Sequence, residues 1–292
     1  MRVFVTGATG FIGTAVVKEL IAHGHEVLGL ARSEEGARSL QAQGAQPHRG
    51  SLDDLDSLRS GAERADAVIH LAFIHDFSRF QENCAIDKRA IEALGSVLTG
   101  SNRPLIVTGG TAGLTASGQL ATEDRPIPAD FHLPRVSEQT ALALQGVSAA
   151  AMRLPQVHDP VKQDLVSYLI HVAREKGVSA YVGEGRNRWP ACHVDDAARA
   201  YRLALEKHQP GLRYHAVAEE GVKLRDIAEA IGTGLKLPVK SLTPQESQAH
   251  FGWLSLFAGF DNPTSSALTR QRLGWQPTGP GMLADLERMN YA

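Results

Sequence analysis

Thr6-Gly7-Ala8-Thr9-Gly10-Phe11-Ile12-Gly13 lies directly behind the β-rich run Arg2-Val3-Phe4-Val5 and directly ahead of Val16, Val17, Leu20 and Ile21, which recur at helical spacing. Strand, glycine-rich turn and helix in that order form a phosphate-binding unit. Gly7 permits the tight turn, Gly10 lets the backbone approach a pyrophosphate, and Gly13 lets the helix pack closely on the strand. Amide groups of the first helical turn then point at the phosphates. The segment predicts a dinucleotide site built from Thr6, Gly7, Thr9, Gly10, Phe11, Ile12 and Gly13.

Gly24 closes this helix, and Glu26-Val27-Leu28-Gly29-Leu30 is the next strand. An acid at its end would accept hydrogen bonds from a ribose 2′-hydroxyl. This chain has Ala31-Arg32-Ser33 there, and a guanidinium with a hydroxyl suits a 2′-phosphate. NADP(H) is therefore the preferred cofactor; Glu34 and Glu35 follow at once and keep NAD(H) open.

Further strands fall at Ala67–Leu71, Pro104–Val107 and Ser148–Leu154, with helical stretches near Leu52–Arg64, Gln81–Leu98 and Ser137–Gln145 between them. This alternation predicts an α/β fold, a doubly wound parallel Rossmann sheet whose ligands sit at the carboxyl ends of the strands. Val182–Pro190 reads as a loop, Val194–Glu206 as a helix, Tyr214–Val217 as a strand and Leu224–Leu235 as an amphipathic helix. Residues 1–155 then form the dinucleotide-binding domain, with 191–218 returning to it. Residues 156–190 and 219–292 form a smaller C-terminal substrate lobe, where Phe251, Trp253, Leu254, Leu256, Phe257 and Phe260 suit a core or an apolar pocket.

The net charge of −2 gives no footprint for nucleic acid or an anionic membrane. No apolar run approaches the roughly 20 residues of a membrane span, and nothing at residue 1 resembles a signal peptide. Two cysteines, Cys84 and Cys192, read as reduced thiols of a cytoplasmic protein. The twelve histidines show no metal-ligand spacing, so no metal site is expected.

Several segments together resemble the extended or atypical short-chain dehydrogenase/reductases, related to the NAD-dependent epimerase/dehydratase group. Thr6–Gly13 is similar to that family's glycine turn. Gly50-Ser51-Leu52-Asp53 resembles its adenine segment, and His70-Leu71-Ala72 the turn after its fourth strand. Arg153-Leu154-Pro155-Gln156-Val157-His158-Asp159-Pro160 resembles the element that contacts nicotinamide and substrate. His193-Val194-Asp195-Asp196-Ala197-Ala198, Tyr214–Val217 and Leu224–Ala228 carry the likeness through the second half. The resemblance adds Ser51, Leu52, Asp53, Leu71, Ala72, Thr108, Leu154 and Pro155 to Arg32 and Ser33 as cofactor contacts. It implies a homodimer through the helices at Gln81–Leu98 and Ser137–Gln145.

The family's catalytic pair, Tyr-x-x-x-Lys, occurs nowhere in this chain. Its place reads Leu133-Pro134-Arg135-Val136-Ser137-Glu138-Gln139: Glu138 aligns with the lysine and Pro134 with the tyrosine, or Arg135 after a slip of one. Reduction of a ketone creates an alkoxide that needs a donor. The candidates are Thr111 beside Thr108, Arg135 as an oxyanion partner, His158 near the nicotinamide, and His75 with Asp76 after the fourth strand. Arg186 and Arg188 flank Asn187 on a loop bordering the substrate pocket and would suit an acidic substrate. These residues are read as an NADP(H)-dependent oxidoreductase of a small carbonyl or imine-like substrate. The alternatives are a non-catalytic NADP sensor of the NmrA type, which also lacks the tyrosine, and a nucleotide-sugar epimerase or dehydratase.

Overall fold

A computed structural model describes residues 1–128 and 134–291. In the first half strands and helices alternate as β1 (Arg2–Thr6), α1 (Phe11–Ala22), β2 (Glu26–Ala31), α2 (Glu34–Ala42), β3 (Gln46–Arg49), α3 (Leu55–Glu63), β4 (Ala67–His70), α4 (Phe80–Leu98), β5 (Ser101–Gly110), α5 (Ser137–Ala143) and β6 (Val147–Leu154). The second half continues with β7 (Gln156–His158), α6 (Leu165–Lys176), β8 (Ser179–Val182), β9 (Arg188–His193), α7 (Val194–Glu206), β10 (Arg213–His215), β11 (Glu219–Lys223), α8 (Leu224–Leu235), β12 (Val239–Leu242), α9 (Pro244–Phe251), α10 (Ser255–Ala258), α11 (Ala267–Leu273) and α12 (Met282–Arg288).

Seven parallel strands make the main sheet in the order β10-β6-β5-β4-β1-β2-β3. The order reverses at β1, so the connections leaving β1 and β4 diverge and open a crevice at their carboxyl ends. Alternating side chains fill the two faces. Val3, Val5, Ala67, Ile69, Ile106 and Met152 pack with α1 and α7, whereas Phe4, Val68, Leu105, Val107 and Ala151 pack under α3, α4 and α5. Val16, Val17 and Leu20 supply the stripe that seats α1, and Gly24 at φ 79° turns the chain into β2.

Residues 156–193 and 219–291 build a second core around Ile170, Trp189, Ile227 and Leu286, with the small sheets β11-β9-β7 and β12-β8. Two expectations are corrected. Val182–Pro190 is not all loop, because β9 begins at Arg188, held between β7 and β11. The tail is not all second lobe, because Leu273 and Trp275 pack in the main core beside Tyr201 and Tyr214.

Candidate active site

The glycine turn is closed by contacts that leave no room for side chains. Gly7 has φ 69°, and a Cβ on it would stand 2.7 Å from the Ala72 amide nitrogen. A Cβ on Gly13 would stand 1.9 Å from the Gly7 carbonyl oxygen. The Gly10 amide donates to the Gly7 carbonyl at 2.9 Å, and the Thr14 amide to the Gly10 carbonyl at 2.9 Å. No side chain caps α1 and no acid sits in its first turn. The amides of Phe11, Ile12 and Gly13 must therefore be satisfied from outside the helix, which fits a pyrophosphate.

At the end of β2, Arg32 is exposed and has no hydrogen bond or ion pair among the described residues. Ser33 accepts from the Gly36 amide at 3.1 Å and caps α2. Glu34 faces Arg49 at 3.3 Å. Leu52 is buried in the core, whereas Asp53 beside it is exposed. Strand register sets Thr6 beside His70, Thr108 beside Met152 and Gly110 beside Leu154, along one carboxyl-end rim. Leu71, Ala72 and Pro155 follow directly on that rim.

A buried polar chain runs beneath it. The Thr6 hydroxyl accepts from the Ala72 amide at 3.2 Å and lies 2.8 Å from His70 Nδ1. His70 Nε2 lies 3.1 Å from Asp87 Oδ1, so Thr6 donates to Nδ1 while the ring proton on Nε2 meets the carboxylate. Asp87 Oδ2 accepts from Ser137 at 2.6 Å, and Ser137 accepts from Arg135 Nε at 3.1 Å. The Asp87 pKa is lowered: burial opposes ionisation, but the hydrogen bond from His70 outweighs it, helped by Arg135 and Ser137. Arg135 ends the chain, donating from Nη2 to the Thr108 carbonyl at 3.1 Å, with its guanidinium 4.1 Å from the centre of the Phe73 ring.

Residues 3–94 and 137–218 match the NAD dependent epimerase/dehydratase family. The chain belongs to that family. It is 52% identical to an uncharacterized protein of Schizosaccharomyces pombe over 294 residues, covering 100% of both. It is 30% identical over 242 residues to the decarboxylating sterol-4-alpha-carboxylate 3-dehydrogenase of Dictyostelium discoideum, covering 77% of this chain and 73% of that one. The fold is similar to that of Thermus thermophilus UDP-glucose 4-epimerase in complex with NAD, with a TM-score of 0.75 at 19% identity over 100% and 99% of the two chains.

Glu138, which the sequence reading aligns with the family's lysine, has its carboxylate fully committed. Arg153 Nε and Nη2 donate to it at 2.6 and 2.7 Å, and Arg213 Nε at 2.5 Å. Leu133, which opens the segment, lies outside the described residues; Pro134 is exposed and Arg135 half-buried. Of the residues read as catalytic, Arg135 joins the polar chain leading from the glycine turn. Thr108 donates to the His70 carbonyl at 2.8 Å and accepts from Tyr201 at 2.7 Å, so its hydroxyl is used inside the sheet. Thr111 is 3% exposed, its oxygen 3.4 Å from Asn262 Nδ2. Asp76 is exposed and accepts from the Ser78 amide at 3.0 Å, capping a short 3-10 turn. His75 sits at the rim, where partial burial and then the Arg135 charge lower its pKa.

His158 does not face an open pocket. It is 0% exposed, with Nδ1 2.7 Å from Asp285, and burial lowers its pKa despite that carboxylate. Arg188 is held by Asp261 at 2.8 Å, and the Trp189 indole donates to the Phe257 carbonyl at 3.2 Å, whereas Arg186 is exposed and pairs with Glu184 at 2.8 Å. Sequence reasoning missed Asp87 and Asp164. Asp87 was findable: it falls on the apolar stripe of α4 with Ala90, Ile91 and Leu94, where an acid is out of place without a partner. A groove of about 830 Å³ between α8 and α12 contains none of these residues and is separate from the crevice.

Proposed function

We propose that this chain is an NADP(H)-dependent oxidoreductase that reduces a small carbonyl or imine-like compound, with Arg135 holding the oxygen as it gains negative charge. The observation that carries this reading is the placement of the Arg135 guanidinium on the rim beside the dinucleotide turn, linked to it through Ser137, Asp87, His70 and Thr6. Thr6 to Gly13 would hold the pyrophosphate, Arg32 and Ser33 the 2′-phosphate, and Ser51 to Asp53 the adenine. Bound there, the reduced nicotinamide would supply a hydride, a hydrogen nucleus with its electron pair, to the carbonyl carbon. Arginine stabilises an oxyanion by charge and paired N–H groups without releasing its own proton. The dehydrogenase named among the relatives supports redox chemistry.

The test is NADPH consumption across a carbonyl panel with wild type and Arg135→Ala. Loss of one oxyanion donor should lower kcat by about 100- to 1,000-fold with NADPH affinity kept. No consumption by wild type with any carbonyl sinks the reading. A sensor without turnover is the second reading, favoured by the committed state of Glu138. Tight NADP(H) binding without turnover, and a protein partner, would establish it.

The same reading places the chain in the cytoplasm, in keeping with the buried, unpaired thiols of Cys84 and Cys192. Among the described residues no helix is long and apolar enough to cross a membrane, and no cluster of His, Cys, Asp and Glu could hold a metal. A homodimer through α4 and α5 would bury Glu82, Lys88, Arg89 and Glu92, which line the exposed face of α4. Light scattering that returns the 31.4 kDa monomer mass removes it.

A further inference from the structure

The reduction proposed above still needs a proton. Arg135 keeps its own, and Thr108 already spends its hydroxyl on the His70 carbonyl. Asp164 is an acid held in an unusual setting. It adopts φ 44° and ψ −124°, a conformation that favours glycine. Among the described residues the only other non-glycine residue at positive φ is Lys236, an ordinary left-handed end to α8. Although Asp164 precedes α6, its side chain does not cap that helix. Its carboxyl group instead accepts from the Val157 amide, just past the end of β6. Strained residues of this kind persist where their surroundings hold them, and they cluster at functional sites.

Three groups act on this carboxyl group: Arg135, Lys162 and the Val157 amide. Arg135 faces it from the approach to α5 and Lys162 from its own loop. The Lys162 ammonium lies 5.6 Å from the Phe11 ring centre, which ties the cluster to the dinucleotide turn. His75, from the segment after β4, feels the same two cations. Burial pushes the Asp164 carboxyl up to about 6, against the pull of Lys162, Arg135 and the Val157 amide. An acid in that range can both give and regain a proton near neutral pH.

We propose that Asp164 is the proton donor of the reduction, a catalytic carboxylic acid in place of the absent tyrosine, delivering its proton to the oxygen held by Arg135; this rests on the reductase reading. The carbonyl carbon receives the hydrogen and electron pair of the reduced nicotinamide, the carbon–oxygen π bond opens onto oxygen, the acid O–H breaks as the alcohol O–H forms, and water reprotonates the carboxylate. The nicotinamide is oxidised and the carbonyl reduced, so electrons and protons balance.

The experiment compares wild type with Asp164→Asn and Asp164→Gly, the glycine being compatible with the local backbone. The readouts are NMR titration of isotope-labelled aspartate without cofactor, NADPH binding by fluorescence, and NADPH oxidation with diacetyl, cyclohexanone, benzaldehyde and phenanthrenequinone. One carboxyl resonance titrating near pH 6 in wild type and missing from both variants is expected. NADPH binding should be kept and kcat lowered by about 100-fold or more, with loss of the decline in kcat as pH rises through about 6. If no carboxyl titrates near 6, or if Asp164→Asn keeps the wild-type rate and pH profile, the inference is overturned and the reductase reading survives. If wild type reduces nothing in the panel, that reading fails and the inference falls with it.

Discussion

Replacing Glu138 with lysine would put a cation where the sequence reading aligns the family's lysine, and the packing around it says that the fold would fail. Glu138 is 2% exposed and Arg153 0%. Both oxygens of the carboxylate accept from guanidinium groups, two bonds from Arg153 and one from Arg213. The remaining donors of Arg153 reach the Arg125 carbonyl at 2.8 Å and His215 Nε2 at 3.1 Å. His215 Nδ1 donates to the Ser265 carbonyl at 2.7 Å, which leaves Nε2 bare to accept. Burial, with the Arg153 charge beside it, takes the His215 pKa down to about 3 although the Ser265 carbonyl pulls the other way. That ring is neutral and cannot balance a charge. Glu138 is the only anion paired with Arg153 among the described residues.

Glu138→Gln leaves a buried guanidinium facing a neutral amide, and breaking a buried pair in this way costs about 3–5 kcal/mol. Glu138→Lys adds a cation against two guanidiniums. At about 4 Å and an effective dielectric near 20, each contact costs about 4 kcal/mol. The total, about 11–13 kcal/mol, is comparable to the whole stability of a domain, about 5–15 kcal/mol. Urea unfolding followed by the fluorescence of buried Trp189 and Trp275 reads both variants. The glutamine midpoint should fall by roughly 1–1.7 M, for a slope of about 3 kcal/mol/M, and the lysine variant should show no cooperative transition. The double change Glu138→Leu with Arg153→Met removes both charges and should recover most of the loss, because apolar replacements of a buried pair are often neutral. A Glu138→Lys protein with the wild-type midpoint would falsify the electrostatic account of this position.

Gly13→Ala should abolish NADPH binding, since its Cβ would lie 1.9 Å from the Gly7 carbonyl oxygen; a variant that still binds NADPH would show that the turn opens freely. Arg32→Ala should weaken NADPH by about 10- to 100-fold, the worth of a charged hydrogen bond of about 1.5–3 kcal/mol, and leave NADH unchanged. Equal losses for both nucleotides would remove the 2′-phosphate assignment. Because folding raises the Asp164 pKa from the ordinary 3.8 to about 6, its contribution is fully present below pH 3.8 and is lost as pH rises through 6. Asp164→Asn should therefore gain up to ~3 kcal/mol on wild type between those limits, as read by unfolding at pH 4 and pH 7. A constant difference between the two proteins across that range would count against the raised pKa.

Much of the main domain was legible because its periodicities are local. Val3, Phe4 and Val5 alternate between the two faces, and Val16, Val17 and Leu20 sit on one side of α1. The glycine turn was legible for a steric reason that composition records directly: no other residue fits at positions 7 and 13. β9 was not legible, because Gly183, Gly185 and Pro190 punctuate the segment while the pairing that makes it a strand comes from β7 and β11, more than twenty residues away on either side. Asp164 was not legible either. An aspartate before a helix is an ordinary cap, and neither its positive φ nor its bond to Val157 leaves a mark in the sequence.

The absent lysine and the strained acid can be understood together. In the family pair the lysine lowers the pKa of a phenol, and position 138 here is committed to a carboxylate that holds Arg153. Without that cation, burial moves a phenol the wrong way: Tyr201, buried and bonded to Thr108, has its pKa pushed well above the ordinary tyrosine value. Burial acts on a carboxylic acid in the same direction, but from a starting point below neutrality. Asp164 begins near 3.8 and is carried to about 6, toward the pH at which a proton must be exchanged. Desolvation alone therefore disables a tyrosine and tunes an aspartate. A site without the Tyr-x-x-x-Lys pair can obtain its proton from an acid such as Asp164 with no cation devoted to activating it.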